Sequence, residues 1–309
     1  CALPICLYTD TERRVQELES RSFGFIGMGV SGGAKGALEG PSMMPGGTNT
    51  AYRAIQSLLE AMAAKVIDGP CVTYIGPGGA GHFVKTVHNG IEYGIEQILA
   101  EAYDLMKRVA GLQGSAMADV LRIWNDSEEL SSFLVEITEV CLRATDPESG
   151  TDLVELIVDA AGQKGTGLWT VESALTMGVP VPTIYAALNA RVLSSLRTER
   201  IAAEPLLTVP AGPAFDLGTP ANGMEPLCDA CILACIASYA QGMALLQAAS
   251  ALHNYDLDLP QIGRIWKGGC IIRARLLQRI QDAYKNQGDL ANLMFDPWFL
   301  EQVNQRLPG

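Results

Sequence analysis

The chain has 309 residues, 48% of them hydrophobic, enough for one large or two modest domains with a sizeable buried core. A formal net charge of −12 repels phosphate backbones and argues against a general nucleic-acid binder, while leaving room for a small anion in a local basic pocket. No run approaches the roughly 18 consecutive apolar residues of a membrane span, and eight cysteines with no visible secretory signal fit a reducing cytoplasm better than a disulfide framework.

Residues 1–8, starting Cys1-Ala-Leu-Pro-Ile-Cys6, carry neither helix nor strand pattern and read as a junction outside the fold. Residues 10–20 follow as a capped surface helix with Val15 and Leu18 inward. Phe23-Gly-Phe-Ile-Gly-Met28 reads as a buried strand and residues 27–47 as a glycine- and proline-rich loop. Residues 49–66 are helical, with Ile55, Leu58, Leu59 and Met62 on one face, and Cys71-Val-Thr-Tyr-Ile-Gly76 is a second strand. One strand–helix–strand unit results. Past residue 82 strand-like alternation almost vanishes. Helical patterns follow at 82–111, 115–125, 128–144, 150–162, 170–177, 182–198, 225–253, 260–285, 288–293 and 297–306. The expected architecture is an α/β part over residues 1–81 and a large all-α domain over 82–309.

Two runs match the GxGxxG pattern of dinucleotide sites, Gly27-Met-Gly29-Val-Ser-Gly32 and Gly76-Pro-Gly78-Gly-Ala-Gly81. The pattern works only when a helix follows, so that backbone N–H groups meet a pyrophosphate. Ala34-Lys-Gly-Ala-Leu-Glu-Gly-Pro41 cannot be an ordinary helix, so the first run fails. The second leads into a helix that runs through the place where a ribose-binding acid should end the next strand. The cofactor-binding residues stay unassigned. Ser31, Gly32 and Gly33 read better as a nest of backbone N–H groups and one hydroxyl for a carboxylate or phosphate, against the plainer reading of a tight turn.

At about 100° per residue, Lys85, His88, Asn89 and Glu92 share roughly a third of one helix circumference, with Tyr93 at its edge. Lys85 and Glu92 lie two turns apart, about 10 Å along the axis, which suits an acid–base pair around an elongated polar substrate. The plainer alternative is a solvated Lys–Glu face. Against it, His and Asn are weak helix formers. Cys228, Cys231 and Cys235 share one face of a helix, a poor geometry for a metal cluster, and read as small core residues. Trp169 and Trp266 read as core anchors, His82 as a helix cap and His253 as structural. No metal site is expected.

Gly81-His-Phe-Val-Lys-Thr-Val-His-Asn-Gly-Ile-Glu-Tyr-Gly94 resembles the signature of the decarboxylating 6-phosphogluconate dehydrogenases. Gly24-Phe-Ile-Gly-Met-Gly-Val-Ser-Gly-Gly33, Gly40-Pro-Ser-Met-Met-Pro-Gly-Gly47, Gln163-Lys-Gly-Thr-Gly167, Ala190-Arg-Val-Leu-Ser-Ser-Leu196 and Ile265-Trp-Lys-Gly-Gly-Cys-Ile-Ile-Arg273 match further motifs of that family in register. The resemblance implies that residues 1–81 are the end of a Rossmann-like NADP-binding domain. It implies oxidation of 6-phosphogluconate with NADP to ribulose 5-phosphate and CO2 in the pentose phosphate pathway, with Lys85 as general base and Glu92 as general acid. Ser31, Gly32, Gly33, His88 and Asn89 would hold the substrate, and Tyr93, Lys164, Thr166 and Arg191 its phosphate. Leu168 stands where the family usually has Lys. The resemblance also implies a cytoplasmic homodimer for the full-length parent. The main coenzyme motif and the end tail would lie outside this chain, leaving it alone nearly inactive. A related β-hydroxyacid dehydrogenase lacks the His-Asn-Gly-Ile-Glu-Tyr run; a non-catalytic helical module is the remaining alternative.

Overall fold

The computed structural model describes residues 6–208 and 217–307. It is an α/β layer followed by a large helical domain, as the periodicities predict. Helix α1 (Tyr8–Glu19) precedes strand β1 (Ile26–Ser31), a short helix α2 (Gly33–Glu39), strand β2 (Ser42–Gly47) and helix α3 (Asn49–Met62). Tyr8 belongs to the packed structure, its ring edge-on to Phe83 at 5.0 Å. Residues 27–47, expected as loop, are in fact most of an antiparallel pair running from Ile26↔Gly47 to Ser31↔Ser42, with α2 at its tip. Gly32 at φ +128° and Gly33 at φ +57° turn the chain into α2, which lasts only seven residues before Gly40 stops it at φ +115°. A helix could form there because these special conformations fall on glycines at its boundaries.

The strand expected over Cys71–Gly76 is reduced to two parallel bridges beside β2, Met43↔Val72 and Gly46↔Gly76. Val72 N–H turns back to Pro70 O at 2.8 Å, which takes it out of a regular ladder. β2 is buried along its whole length, with α3 and the long helix α4 (Ala80–Arg108) packed against it.

Helix α4 (Ala80–Arg108) is the axis of the molecule. It meets β1, β2, α7 (Thr166–Thr176), α8 (Pro182–Ser195) and α10 (Glu225–His253). From Ala80 to His88 every residue is buried, which only a helix surrounded on all sides shows. Gly90 is needed where α7 crosses: a Cβ there would lie 2.5 Å from the Thr170 methyl carbon. Around this axis stand α5 (Gly114–Asp126), α6 (Phe133–Arg143), α9 (Arg197–Ala203), α11 (Leu259–Trp266), α12 (Leu276–Asn286) and α13 (Pro297–Arg306). Helix α10 is long and apolar enough by composition to cross a membrane, yet 61% of that stretch is buried in the helical core.

Three expected helices are corrected. Residues 288–293 hold no α-helix and reach only the start of the 3-10 turn Leu293–Phe295. Residues 150–162 keep only a single 3-10 turn, Leu153–Leu156. The pattern over 260–285 breaks after Trp266 at Gly268-Gly269, where Gly269 takes φ +59°. The break lets the chain reach the α/β layer. Ser42 N–H donates to Gly269 O at 2.7 Å, and Ser42 Oγ donates to Ile265 O at 2.7 Å. Arg264 donates to Val72 O at 3.1 Å beside them.

Candidate active site

The polar face of α4 becomes a buried cluster. Lys85, 5% exposed, donates from Nζ to Asn89 Oδ1 at 2.6 Å and lies 3.1 Å from His88 Nδ1. Asn89 Nδ2 donates in turn to Thr166 Oγ1 at 3.1 Å, which fixes the amide and ties α4 to the start of α7. His88 is fully buried and edge-on to Trp266, ring centres 5.7 Å apart. Its Nδ1 also lies 3.5 Å from Glu92 Oε2. β1 can come this close only because residue 29 is glycine, since a Cβ there would sit 2.3 Å from Lys85 Cβ.

The second wall comes from far along the sequence. Ser31, at the end of β1, places Oγ 3.0 Å from His88 Nε2 and accepts from Ile271 N–H at 3.2 Å. Cys270 Sγ is 2.8 Å from the same Nε2. Gly32 is buried against Gly269 O, while Gly33 is exposed. Cys270 is the site residue that sequence reasoning missed. Its signals were the Gly-Gly pair before it, inside a pattern read as continuous helix, and its place in the Ile265–Arg273 motif, to which no site role was attached.

Burial dominates the electrostatics. It holds the Lys85 amine below the ordinary lysine range, with the Glu92 carboxylate and Cys270 pulling the other way. It lifts Glu92 from the usual carboxylate range to about 7, opposed by Lys85 and helped by Glu96. It keeps His88 neutral, its pKa well below the ordinary imidazole range, with Lys85 adding to the effect. The Cys270 thiol is pushed up to about 12 and stays protonated.

One and two turns further along α4, Tyr93 is buried under the Arg191 guanidinium, which stacks 3.8 Å from the ring centre. Arg191 pairs with Glu96 and donates to Gly162 O at 3.2 Å. Thr166 is buried as the first residue of α7, after Gly165 at φ +94°. Tyr93, Thr166 and Arg191 thus stand near one another around the start of α7. Lys164 is exposed, without an ion-pair partner among the described residues.

Both glycine runs are packed against protein. Cβ atoms at Gly27 and Gly29 would strike Thr11 and Lys85; at Gly76 and Gly81 they would strike Tyr255 O and Met44 O. These glycines serve close approach within the fold. His82 is not a cap but the third residue of α4, its Nδ1 2.7 Å from Thr11 Oγ1. Trp266 is a core anchor, and Trp169 is only half-buried. Among the described residues no group of three His, Cys, Asp or Glu is arranged to hold a metal.

Residues 81–309 match the family described as 6-phosphogluconate dehydrogenase, C-terminal domain, and residues 6–76 match the NAD binding domain of 6-phosphogluconate dehydrogenase. A decarboxylating 6-phosphogluconate dehydrogenase of Synechococcus elongatus is 56% identical over 301 residues, covering 97% of this chain and 64% of the relative. An NADP(+)-dependent, decarboxylating one of Bacillus subtilis is 47% identical over 94% of the chain and 62% of its own length. The chain therefore spans just under two thirds of these relatives. The Plasmodium falciparum 6-phosphogluconate dehydrogenase, solved in its apo form and with NADP+ and 6-phosphogluconate, superposes with a TM-score of 0.90 at 41% identity, covering 97% of this chain and 64% of that one.

Proposed function

The chain belongs to the 6-phosphogluconate dehydrogenase family, and on that premise we propose that its α4 cluster performs the proton chemistry of oxidative decarboxylation of 6-phosphogluconate to ribulose 5-phosphate and CO2. The observation that carries this reading is the pair of buried Lys85 and partly buried Glu92 on one helix face, the amine lowered and the carboxyl raised to about 7. Opposed shifts of that kind poise a base and an acid for work near neutral pH.

Lys85, as the neutral amine, takes the proton of the substrate C3 hydroxyl as C3 is oxidised. The resulting ammonium polarises the C3 ketone, which receives the electron pair left when the carboxylate departs as CO2. Glu92, in its protonated form, then gives a proton to C1 of the enediol. Ser31 and the Gly32 and Gly33 backbone hold the carboxylate end, and Asn89 orients Lys85. At the other end Tyr93, Arg191, Thr166 and the N–H groups opening α7 receive the phosphate, with Lys164 on the rim. Arg191 must exchange Glu96 for the phosphate. NADP as hydride acceptor is proposed from family membership.

A homodimeric parent in a reducing cytoplasm is proposed with this activity; Cys71, Cys141, Cys228, Cys231, Cys235 and Cys270 are free thiols. Titration calorimetry with 6-phosphogluconate tests the reading. Saturable binding is expected, weakened in Lys85→Ala and Arg191→Ala. Absence of heat with the folded chain, or undiminished binding in both variants, sinks it.

A further inference from the structure

One ring holds Arg191 and the first turn of α7 together. The guanidinium carbon stacks 3.8 Å from the centre of Tyr93. A Cβ at Gly167, the second residue of α7, would lie 2.5 Å from Tyr93 Cε2. Tyr93 itself is buried. The cation therefore stands beside a helix N-terminus that no side chain caps and whose first turn carries no acidic residue. Such an end favours an anion.

The anion that Arg191 holds is an internal one. Its Nη2 donates to Glu96 Oε2, and its Nη1 donates to Gly162 O at 3.2 Å. Among the described residues Glu96 has no other hydrogen-bond or ion-pair partner. One turn back along α4 stands Glu92, an acid of the same sign, so the attraction that fixes Glu96 comes from α8 alone. The pair is only partly open to solvent, Arg191 being 21% and Glu96 36% exposed.

For an arriving phosphate the exchange costs twice. The ion pair between α4 and α8 is given up, and the displaced carboxylate, tethered to its helix, stays close to a dianion of like sign. We propose that Glu96 is a built-in competitor of the substrate phosphate, holding the Arg191 guanidinium flat on Tyr93 and lowering the affinity of the phosphate end. This inference rests on the phosphate site proposed above and assigns it a residue that works against binding. The consequence suits the reaction. Substrate and product carry the same phosphate, so tight binding there would hold both alike without lowering the chemical barrier.

The test is titration calorimetry of the chain with 6-phosphogluconate and, separately, with inorganic phosphate. Glu96→Gln and Glu96→Ala, shown by circular dichroism to be folded, should each bind both ligands about threefold to fivefold more tightly, the effect of one partly exposed ion pair. Glu101→Gln removes an exposed charge from the same helix and should leave both affinities as they are. That control separates competition at Arg191 from the general repulsion of an acidic chain. A residue that merely props Arg191 in place gives the opposite sign, weaker binding in both Glu96 variants. Equal or weaker binding by the folded Glu96 variants overturns the proposal, and so does a gain matched by Glu101→Gln. The outcomes also separate the two readings. Binding of 6-phosphogluconate with no gain in the Glu96 variants sinks the competitor and leaves the proposed function standing. Tighter binding of inorganic phosphate by those variants, in a chain that takes up no 6-phosphogluconate, does the reverse. No binding of either ligand by any of these chains sinks both.

Discussion

Helices α4 and α10 are both 29 residues long, lie against one another and bury titratable side chains, yet they treat them in opposite ways. On α4 they are a buried amine, a buried imidazole and a partly buried carboxyl, linked through His88 to one another and to the Ser31–Cys270 wall. Their shifts bring Lys85 and Glu92 toward each other. On α10 they are thiols among apolar neighbours and the Tyr239 phenol, whose hydroxyl donates to Ile272 O. Burial pushes Cys228 and Cys235 up to about 12 and Cys231 well above the ordinary thiol range. Depth of burial is therefore not what marks a site. Partners of complementary charge within reach of a buried group are what make it reactive; without them the same burial makes it inert.

The pH dependence of stability breaks this comparison most directly. The Glu92 carboxyl is raised in the folded state, so between about pH 4.5 and 7 the unfolded chain ionises there while the folded chain keeps its proton. The stability this residue contributes is fully present below 4.5 and is lost as pH rises through 7. The loss is up to about 3 kcal/mol. Urea unfolding of Glu92→Gln should show a flatter profile across that window, and an unchanged slope would place the carboxyl in ordinary solvent.

Next in size is Lys85→Met. Removing a desolvated amine should leave stability unchanged or raise it by about 1 kcal/mol. It should also weaken 6-phosphogluconate binding by about 2 kcal/mol, as for a lost charged hydrogen bond. Loss of stability without loss of affinity would make α4 resemble α10. Arg191→Ala should cost about 1.5 kcal/mol in the same calorimetric titration and little in stability, since its Glu96 partner is half-exposed.

The smallest effect is expected on α10. Cys235→Ala should lower stability by about 1 kcal/mol through lost packing and leave ligand binding alone. In thiol labelling of the native chain, exposed Cys141 should react early, and Cys231 and Cys235 only on unfolding. Fast labelling of either buried thiol would contradict the contrast.

The helical half of the fold was legible because amphipathic periodicity is local, and α4 declared its polar face by spacing alone. Residues 33–39 were not legible, because a seven-residue helix bounded by glycines has no periodic signature. The second wall of the site was illegible for another reason. Ser31 and Ile271 are 240 residues apart, and no local pattern encodes that contact. Within the pattern over 260–285, the Gly-Gly break that delivers Cys270 to His88 looked like a tolerated interruption. The glycine runs matched a dinucleotide pattern that their sequence context argued against, and their close approaches are to α4 and its neighbours.

The hydrogen bonds from Ser42 to Gly269 and Ile265 have a consequence for how the molecule comes into being. During synthesis β1, β2 and the polar face of α4 leave the ribosome long before the segment that closes over them. Until residue 271 emerges, Ser31 Oγ lacks its backbone donor, and His88 has neither Cys270 nor Trp266 beside it. Until then the cluster is open to water on that side. Closing a loop of more than two hundred residues adds little entropy over closing a shorter one. The tuned acid–base pair therefore depends on a distant segment having docked, and is not a property of α4 by itself.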